Sequence, residues 1–149
     1  MANNLTADTV STTKLQPFIN YGGNCRQAFQ FYEQHLGGKI TMMMTRGQLP
    51  DEQNPLPQRK DDVLHARILI AGAELMGSDV PPDRFQPMRS AYLCLTSTRM
   101  EQAESLYSLL SEGGEIFMPM QAGPSGIRFG MLRDKFGTSW MILFEPETR

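Results

Sequence analysis

Two stretches of the chain carry apolar residues at helical spacing. Asn24 and Thr98 precede them as predicted N-caps, and Gly37-Gly38 and Gly113-Gly114 follow them as stop signals. This pattern predicts two amphipathic helices, one in each half of the chain. Their apolar positions are Cys25, Ala28, Phe29, Tyr32 and Leu36 in the first helix, and Met100, Ala103, Leu106, Tyr107 and Leu110 in the second.

Alternating apolar and polar stretches flank each predicted helix in the same order. "LQPFINY" (15–21) precedes the first helix and "AYLCLTS" (91–97) precedes the second, and a β-rich stretch follows each, at 40–45 and 116–120. A strand, a tight turn and another strand then close each half, with the turns at 71–72 and 134–137. Each half is therefore predicted to run β-α-β-β-β, and Tyr107 repeats Tyr32 after 75 positions.

This repeat predicts an α+β fold of two tandem βαβββ modules in one domain. Module one is expected at about 14–80 and module two at about 90–146, in a domain at 14–147 that follows a flexible leader at 1–13. Each helix covers one face of its mixed sheet, so the opposite faces are free to curve around a shared cup. A pocket is the expected product of that arrangement.

Composition narrows the classes of partner. The 149 residues include 14 Lys and Arg against 16 Asp and Glu, for a formal net charge of -2, and no basic run that would neutralise a nucleic acid backbone. The two cysteines, Cys25 and Cys94, lack CxxC spacing and are predicted to be free thiols in a reducing compartment. Without a signal-peptide pattern or an apolar run of ~18 residues, we expect a cytoplasmic protein that binds neither membranes nor nucleic acid.

Three segments carry a family resemblance: "PFINYGGNCRQAFQFYEQHLGGKI", "HARILIAGAELMGSD" and "RFGMLRDKFGTSWMI". They resemble the vicinal oxygen chelate superfamily of glyoxalase I and the bleomycin and fosfomycin resistance proteins. Within it they resemble the PhnB-like branch, which is also labelled 3-demethylubiquinone 3-methyltransferase-like. The resemblance implies paired βαβββ modules, a homodimer and a small ligand in the sheet cup. The sequence gives no support to the methyltransferase label, because no Gly-rich loop of the Rossmann type opens a helix.

The same resemblance implies where a metal would bind. In metalloenzymes of the superfamily, four strand positions supply His, Glu or Gln to a divalent cation, and here those positions fall on Gln16, Met76, Tyr92 and Met141. Only Gln16 is a credible ligand, because two thioethers and a phenol suit neither hard divalent cations nor zinc. We therefore expect no metal cofactor, and a divalent metal at a nonstandard site is the alternative.

Strand alternation assigns side chains to the cup, because successive residues of a strand face opposite sides of the sheet. It assigns Leu15, Ile19 and Tyr21 of the first strand to the helix side. The predicted ligand-binding residues on the cup side are Gln16, Phe18, Asn20, Met76, Ser78, Tyr92, Cys94, Met141 and Leu143.

Catalytic residues are left open by the sequence. His65 and Glu74 are candidates for an acid/base couple or for a nonstandard metal site. Cys94 is either a nucleophile, if a base lowers its pKa, or a small packed thiol. The long loop at 45–62 is either a solvated connection or a lid or dimer contact, and in the second case Arg46 and Arg59 would meet an anionic substrate.

The function expected from these observations is binding of a small molecule in the cup, without an intact family metal site. Whether the protein is also an enzyme stays open at this point. The alternative is a metal-dependent lyase, isomerase or dioxygenase of the same superfamily that uses Gln16, His65 and Glu74.

Overall fold

The computed structural model describes residues 6–147, which form eight strands and three α-helices. The helices are α1 (Ala7–Ser11), α2 (Cys25–His35) and α3 (Met100–Ser111). The strands are β1 (Phe18–Tyr21), β2 (Lys39–Thr45), β3 (Val63–Ile70), β4 (Ala73–Asp79), β5 (Leu93–Ser97), β6 (Glu115–Ala122), β7 (Arg128–Arg133) and β8 (Ser139–Phe144). The predicted α+β fold of two βαβββ modules is confirmed.

Each module forms its own four-stranded mixed sheet with the same topology. The strand orders are β1-β4-β3-β2 and β5-β8-β7-β6, with β1 and β5 parallel to their neighbours and all other pairs antiparallel. Phe18 lies opposite Met76 in the first sheet, and Cys94 lies opposite Met141 in the second. This register confirms the equivalence of Met76 with Met141 that the turn positions predicted.

The outermost strands, β2 and β6, are irregular. Register shifts interrupt the pairing of β2 with β3 at 40–42 and 44–45, and that of β6 with β7 at 116–118 and 118–121. Extra residues of this kind bend a strand and increase its twist. A bent strand therefore ends each sheet at the same position in the strand order.

Each helix packs an aromatic side chain against a glycine of its own sheet. A Cβ atom on Gly77 would lie 2.8 Å from Cζ of Phe29, and one on Gly130 would lie 2.7 Å from Cε2 of Tyr107. Phe29 is fully buried, whereas Tyr107 is half-buried. The two glycines stand on non-equivalent strands of their sheets, because Gly77 is on β4 and pairs with Ala66 of β3, whereas Gly130 is on β7 and pairs with Ile142 of β8.

A buried polar network joins the two modules. The Tyr32 hydroxyl of α2 donates to Oδ2 of Asp134 (2.5 Å), which also accepts the Trp140 indole N–H (2.8 Å). The second oxygen, Oδ1, accepts the backbone N–H groups of residues 136, 137 and 138, so Asp134 holds its own turn together. The Tyr21 hydroxyl reaches Thr138 Oγ1 at 2.8 Å. Burial raises the pKa of Tyr32 well above its ordinary value, and nearby Tyr21 and Asp134 raise it further.

Several boundary predictions were wrong. Leu15 is fully exposed and not packed against a helix, because β1 begins only at Phe18. Thr98 is not the cap of α3, which begins after Arg99. Asn24 holds the predicted cap position of α2 without a side-chain cap bond, and Asp79 accepts the Cys25 N–H in its place.

The predicted leader lies partly outside the described residues. Residues 1–5 are not described, and 7–11 form the short helix α1. The domain boundaries stay predictions. Across residues 6–147, no helix has the length and apolar character needed to cross a lipid bilayer.

Candidate functional site

The predicted ligand-binding residues lie in two sets, one on each sheet. We call the face of each sheet that points away from its helix a cup face. The first cup face carries Gln16 beside the sheet and, within it, Phe18, Asn20, His65, Arg67, Glu74, Met76 and Ser78; the second carries Tyr92 beside its sheet and Cys94, Thr96, Phe129, Met131, Met141 and Leu143. Across the described part of the chain, no hydrogen bond, ion pair or aromatic contact links the two sets.

The first cup face holds a polar cluster centred on Arg67. Its guanidinium donates to Nε2 of His65 (3.1 Å) and to Oε1 of Glu74 (2.9 Å). The Gln16 side-chain amide donates to the same Glu74 oxygen, and the Phe18 ring stacks on His65 with centroids 6.0 Å apart. His65 and Glu74 therefore lie in one cluster, with the Arg67 cation between them.

Arg67 was missed at the sequence level although a signal for it existed. It stands two positions after His65 on the same strand, and strand alternation places both on one face. In this arrangement Nε2 of His65 accepts the bond from Arg67. The lone pair that a base or a metal ligand would use at Nε2 is thus already occupied.

The second cup face ends in an aromatic and arginine cluster. The Arg89 guanidinium lies 3.9 Å from the Phe117 ring centroid and donates to the Tyr92 hydroxyl at 2.8 Å. Arg133 lies 5.2 Å from the same centroid, and Tyr92 meets Phe117 edge to face at 6.4 Å. Neither Arg89 nor Phe117 was predicted, because one lies in the connection between modules and the other in the irregular strand β6.

One cavity brings predicted residues of both modules together. It has a volume of about 260 Å³ and is lined by Glu74 of β4, by Tyr92 just before β5 and by Cys94 within β5. Leu75 and the Trp140 ring form part of its apolar wall. Gln16 lines a separate cavity of about 460 Å³, which it shares with Glu74. The structure therefore brings Glu74, Tyr92 and Cys94 to one place.

The residues at the four family metal positions do not fit a divalent metal. Met76 and Met141 offer only thioether sulfur, and Tyr92 offers a phenol whose oxygen accepts a bond from Arg89. Gln16 is engaged with Glu74 through its amide. Between residues 6 and 147, no group of three or more His, Cys, Asp or Glu side chains is arranged to hold a metal.

The remaining candidates have mainly structural contacts. Cys94 is exposed, and its Sγ shares a weak hydrogen bond with Oγ1 of Thr96 at 3.7 Å. Ser78 Oγ donates to the backbone carbonyl of Val63 at 3.4 Å. In the loop at 45–62, Arg59 is paired with Asp62, which removes it from the groups free to meet an anion.

Comparisons with known proteins find one matching family model and several similar proteins. The family model described as 3-demethylubiquinone-9 3-methyltransferase matches residues 13–143. Protein YjdN of Escherichia coli K12 is 30% identical over 136 residues, which are 86% of this chain and 92% of YjdN. Protein PA1353 of Pseudomonas aeruginosa is 33% identical, with a TM-score of 0.79 over 91% of this chain and 100% of that one.

Two further solved structures extend the likeness. One is described as a putative 3-demethylubiquinone-9 3-methyltransferase, PhnB protein, from Bacillus cereus; it is 26% identical, with a TM-score of 0.74 over 89% of this chain and 100% of that one. The other, a glyoxalase/bleomycin resistance protein/dioxygenase from Alicyclobacillus acidocaldarius, is 15% identical, with a TM-score of 0.55 over 91% and 93% of the two chains. This last likeness is one of fold alone.

Proposed function

Because the chain belongs to the 3-demethylubiquinone-9 3-methyltransferase family, a PhnB-like branch of the glyoxalase/bleomycin resistance superfamily, we propose that it binds a small organic molecule on its cup faces without a resident metal. The methyltransferase in the family's name is not part of the proposal. Both sheets of the described residues are mixed four-stranded sheets, which lack the parallel strand order of a Rossmann-type nucleotide site.

The central observation is the pair of methionines at equivalent positions of the two cup faces. Met76 and Met141 occupy the middle of β4 and β8, where the superfamily resemblance places metal ligands. Thioethers are flexible and polarizable and make favourable contacts with aromatic rings, so they suit an apolar or aromatic ligand better than a hard cation.

The position of Arg67 argues against the metalloenzyme alternative. A divalent metal bound by His65 and Glu74 would lie beside a guanidinium that is already bonded to both. Like charges at such separations repel, and the metal would have to displace the arginine before it gained either ligand. A binding function needs no such rearrangement.

The proposal includes a homodimer and a cytoplasmic location. Phe18 is 47% exposed and Leu69 42% exposed on the first sheet, a degree of apolar exposure that a second copy would cover. The two cysteines are both free, as is usual in a reducing compartment. Sedimentation velocity of the purified chain tests the dimer, and a monomer at all concentrations would contradict it.

Binding is tested with a neutral fluorescent probe, N-phenyl-1-naphthylamine. We expect the wild type to bind it, and Met76→Gln and Met141→Gln to weaken binding about fivefold, because each places a polar amide against the apolar probe. Ile116→Gln is the matched control, since Ile116 is exposed on β6. Equal binding by all four proteins would contradict a ligand site at the methionines.

The absence of a resident metal is tested by elemental analysis of protein purified without chelator. We expect less than about 0.1 equivalent of any transition metal in the wild type. Arg67→Met should then bind added Zn²⁺ about tenfold more tightly than the wild type, because it frees His65 and Glu74. Near-stoichiometric metal in the wild type that is lost in Gln16→Ala or Glu74→Ala would establish the metalloenzyme instead.

A further inference from the structure

We propose that Arg89 and Tyr92 form a subsite for an oxyanion, so that the ligand bound there is a small organic acid with a carboxylate or phosphate group. The proposal rests on the proposed function, because it names the chemical class of the molecule bound there. It concerns residues outside the four positions at which the superfamily places a metal.

Arg89 is held in position although it is exposed. Its guanidinium lies over Phe117 at 3.9 Å from the ring centroid, well inside the distance of a cation–π interaction, and donates one N–H to Tyr92. Ser90, which follows it, has φ 65°, a left-handed conformation that residues other than glycine seldom adopt. A planar group fixed in this way loses little freedom when it binds an anion.

The charge of Arg89 is not neutralised within the described residues. Arg133, the other arginine at Phe117, is paired with Glu115 at 2.9 Å and donates to the Met88 carbonyl at 3.2 Å. Arg89 has only the neutral phenol of Tyr92 as a polar partner and is part of no ion pair among residues 6–147. The cluster therefore has a net positive charge and unused N–H donors.

Tyr92 connects this charge to the apolar cavity. Its oxygen accepts the Arg89 bond, so its own hydroxyl hydrogen is free to donate to a ligand. Tyr92 also lines the 260 Å³ cavity together with Leu95 and Trp140, which stand on the helix side of the second sheet. An oxyanion bound by Arg89 and Tyr92 would thus carry an apolar body into that cavity, and a guanidinium fork matches carboxylate and phosphate oxygens alike.

Isothermal titration calorimetry of the full chain with benzoate, phenyl phosphate and neutral benzamide tests the subsite. We expect benzoate or phenyl phosphate to bind at least about tenfold more tightly than benzamide. Either order of the two anions supports the proposal and identifies the preferred head group. Arg89→Gln should abolish the preference over benzamide, and Tyr92→Phe should reduce it.

Arg84→Gln is the matched control, because Arg84 is an exposed arginine on the same connection and the change removes the same charge. If Arg84→Gln and Arg89→Gln weaken benzoate equally, only overall charge matters and the subsite is overturned. If benzamide binds as tightly as the anions, or if all three fail while N-phenyl-1-naphthylamine binds, the subsite is overturned and small-molecule binding stands. Failure of all four probes overturns both proposals.

Discussion

The two cup faces share one scaffold and carry opposite chemistry. Strand register makes His65, Arg67 and Glu74 of the first sheet equivalent to Phe129, Met131 and Ser139 of the second. The first face thus has a charged cluster where the second has an aromatic ring, a thioether and a hydroxyl. The backbone pairing is the same at these positions, and the side chains of the two cup faces differ.

The two helices differ in a similar way. Both have the same apolar spacing in the sequence, but α2 buries Cys25, Ala28, Phe29 and Tyr32, whereas α3 buries only Ala103 and Leu110. The reason is that α2 packs against its own sheet and also against module two, through Tyr32 and Asp134 and through the Phe31 and Phe136 rings at 5.4 Å. Module one therefore supplies the helix that joins the modules.

Asp134→Ala should have the largest effect on stability, because Asp134 links the turn at 134–137 of module two to helix α2 of module one. Loss of this buried carboxylate leaves the Tyr32 O–H, the Trp140 N–H and three backbone N–H groups without their acceptor. We expect the free energy of unfolding to fall by about 3–5 kcal/mol, measured by urea denaturation. Exposed Asp83→Ala is the control, and a loss below about 1 kcal/mol for Asp134→Ala would show that the network is dispensable.

Gly77→Ala and Gly130→Ala compare the two helix contacts directly. The added methyl at 77 would meet the fully buried Phe29 and also Sγ of Cys25 at 3.0 Å, and neither can withdraw. At 130 it would meet half-buried Tyr107, which has room to move towards solvent. We expect losses of about 2–3 kcal/mol and about 1 kcal/mol in the free energy of unfolding. Equal losses, or the reverse order, would contradict the difference in packing.

Alkaline pH should destabilise the protein through the buried tyrosines of module one. Burial raises the folded-state pKa of both Tyr21 and Tyr32, whereas in the unfolded chain each ionises near pH ~10. The stabilisation is therefore complete below pH ~10 and is lost above it, by about 1.4 kcal/mol per tyrosine at pH ~11.

Denaturation between pH 8 and 11 measures this loss. Tyr32→Phe should reduce the fall in the free energy of unfolding with rising pH, because it removes the contribution of Tyr32. Tyr107→Phe, at the equivalent position of the repeat, should change this pH dependence less. Burial also raises the pKa of Tyr107, but Tyr107 is only half-buried and its hydroxyl donates to a backbone carbonyl. A larger change for Tyr107→Phe than for Tyr32→Phe would contradict the deeper burial of the α2 tyrosine.

Strand alternation and turn chemistry were sufficient to predict the modules and the register. Gly72 and the turn at 134–137 fixed the ends of the hairpins, and alternation then placed Met76 and Met141 on the correct faces. The prediction for Leu15 was wrong because alternation was extended upstream of the strand. These rules are local, so they hold within an element and fail at its ends.

Contacts between distant segments could not be predicted in the same way. Tyr32 and Asp134 are 102 positions apart. The sequence around each is fully explained by a local role, because Tyr32 fits a packed helix position and Asp134 fits a turn, so nothing in the sequence indicates that they meet. Arg89 lies in a connection without periodicity, and Phe117 lies in a strand whose alternation is interrupted. Only the packing of the folded chain shows that these residues meet.

The irregular strands β2 and β6 also determine where the sheets can grow. A bent, twisted edge is a poor template for another strand, and β6 contains Pro119, which cannot donate a backbone hydrogen bond. The opposite edges, β1 and β5, are short, at four and five residues, and pair in regular register. Growth of each sheet by hydrogen bonding of a further strand is thus hindered at one of its two edges.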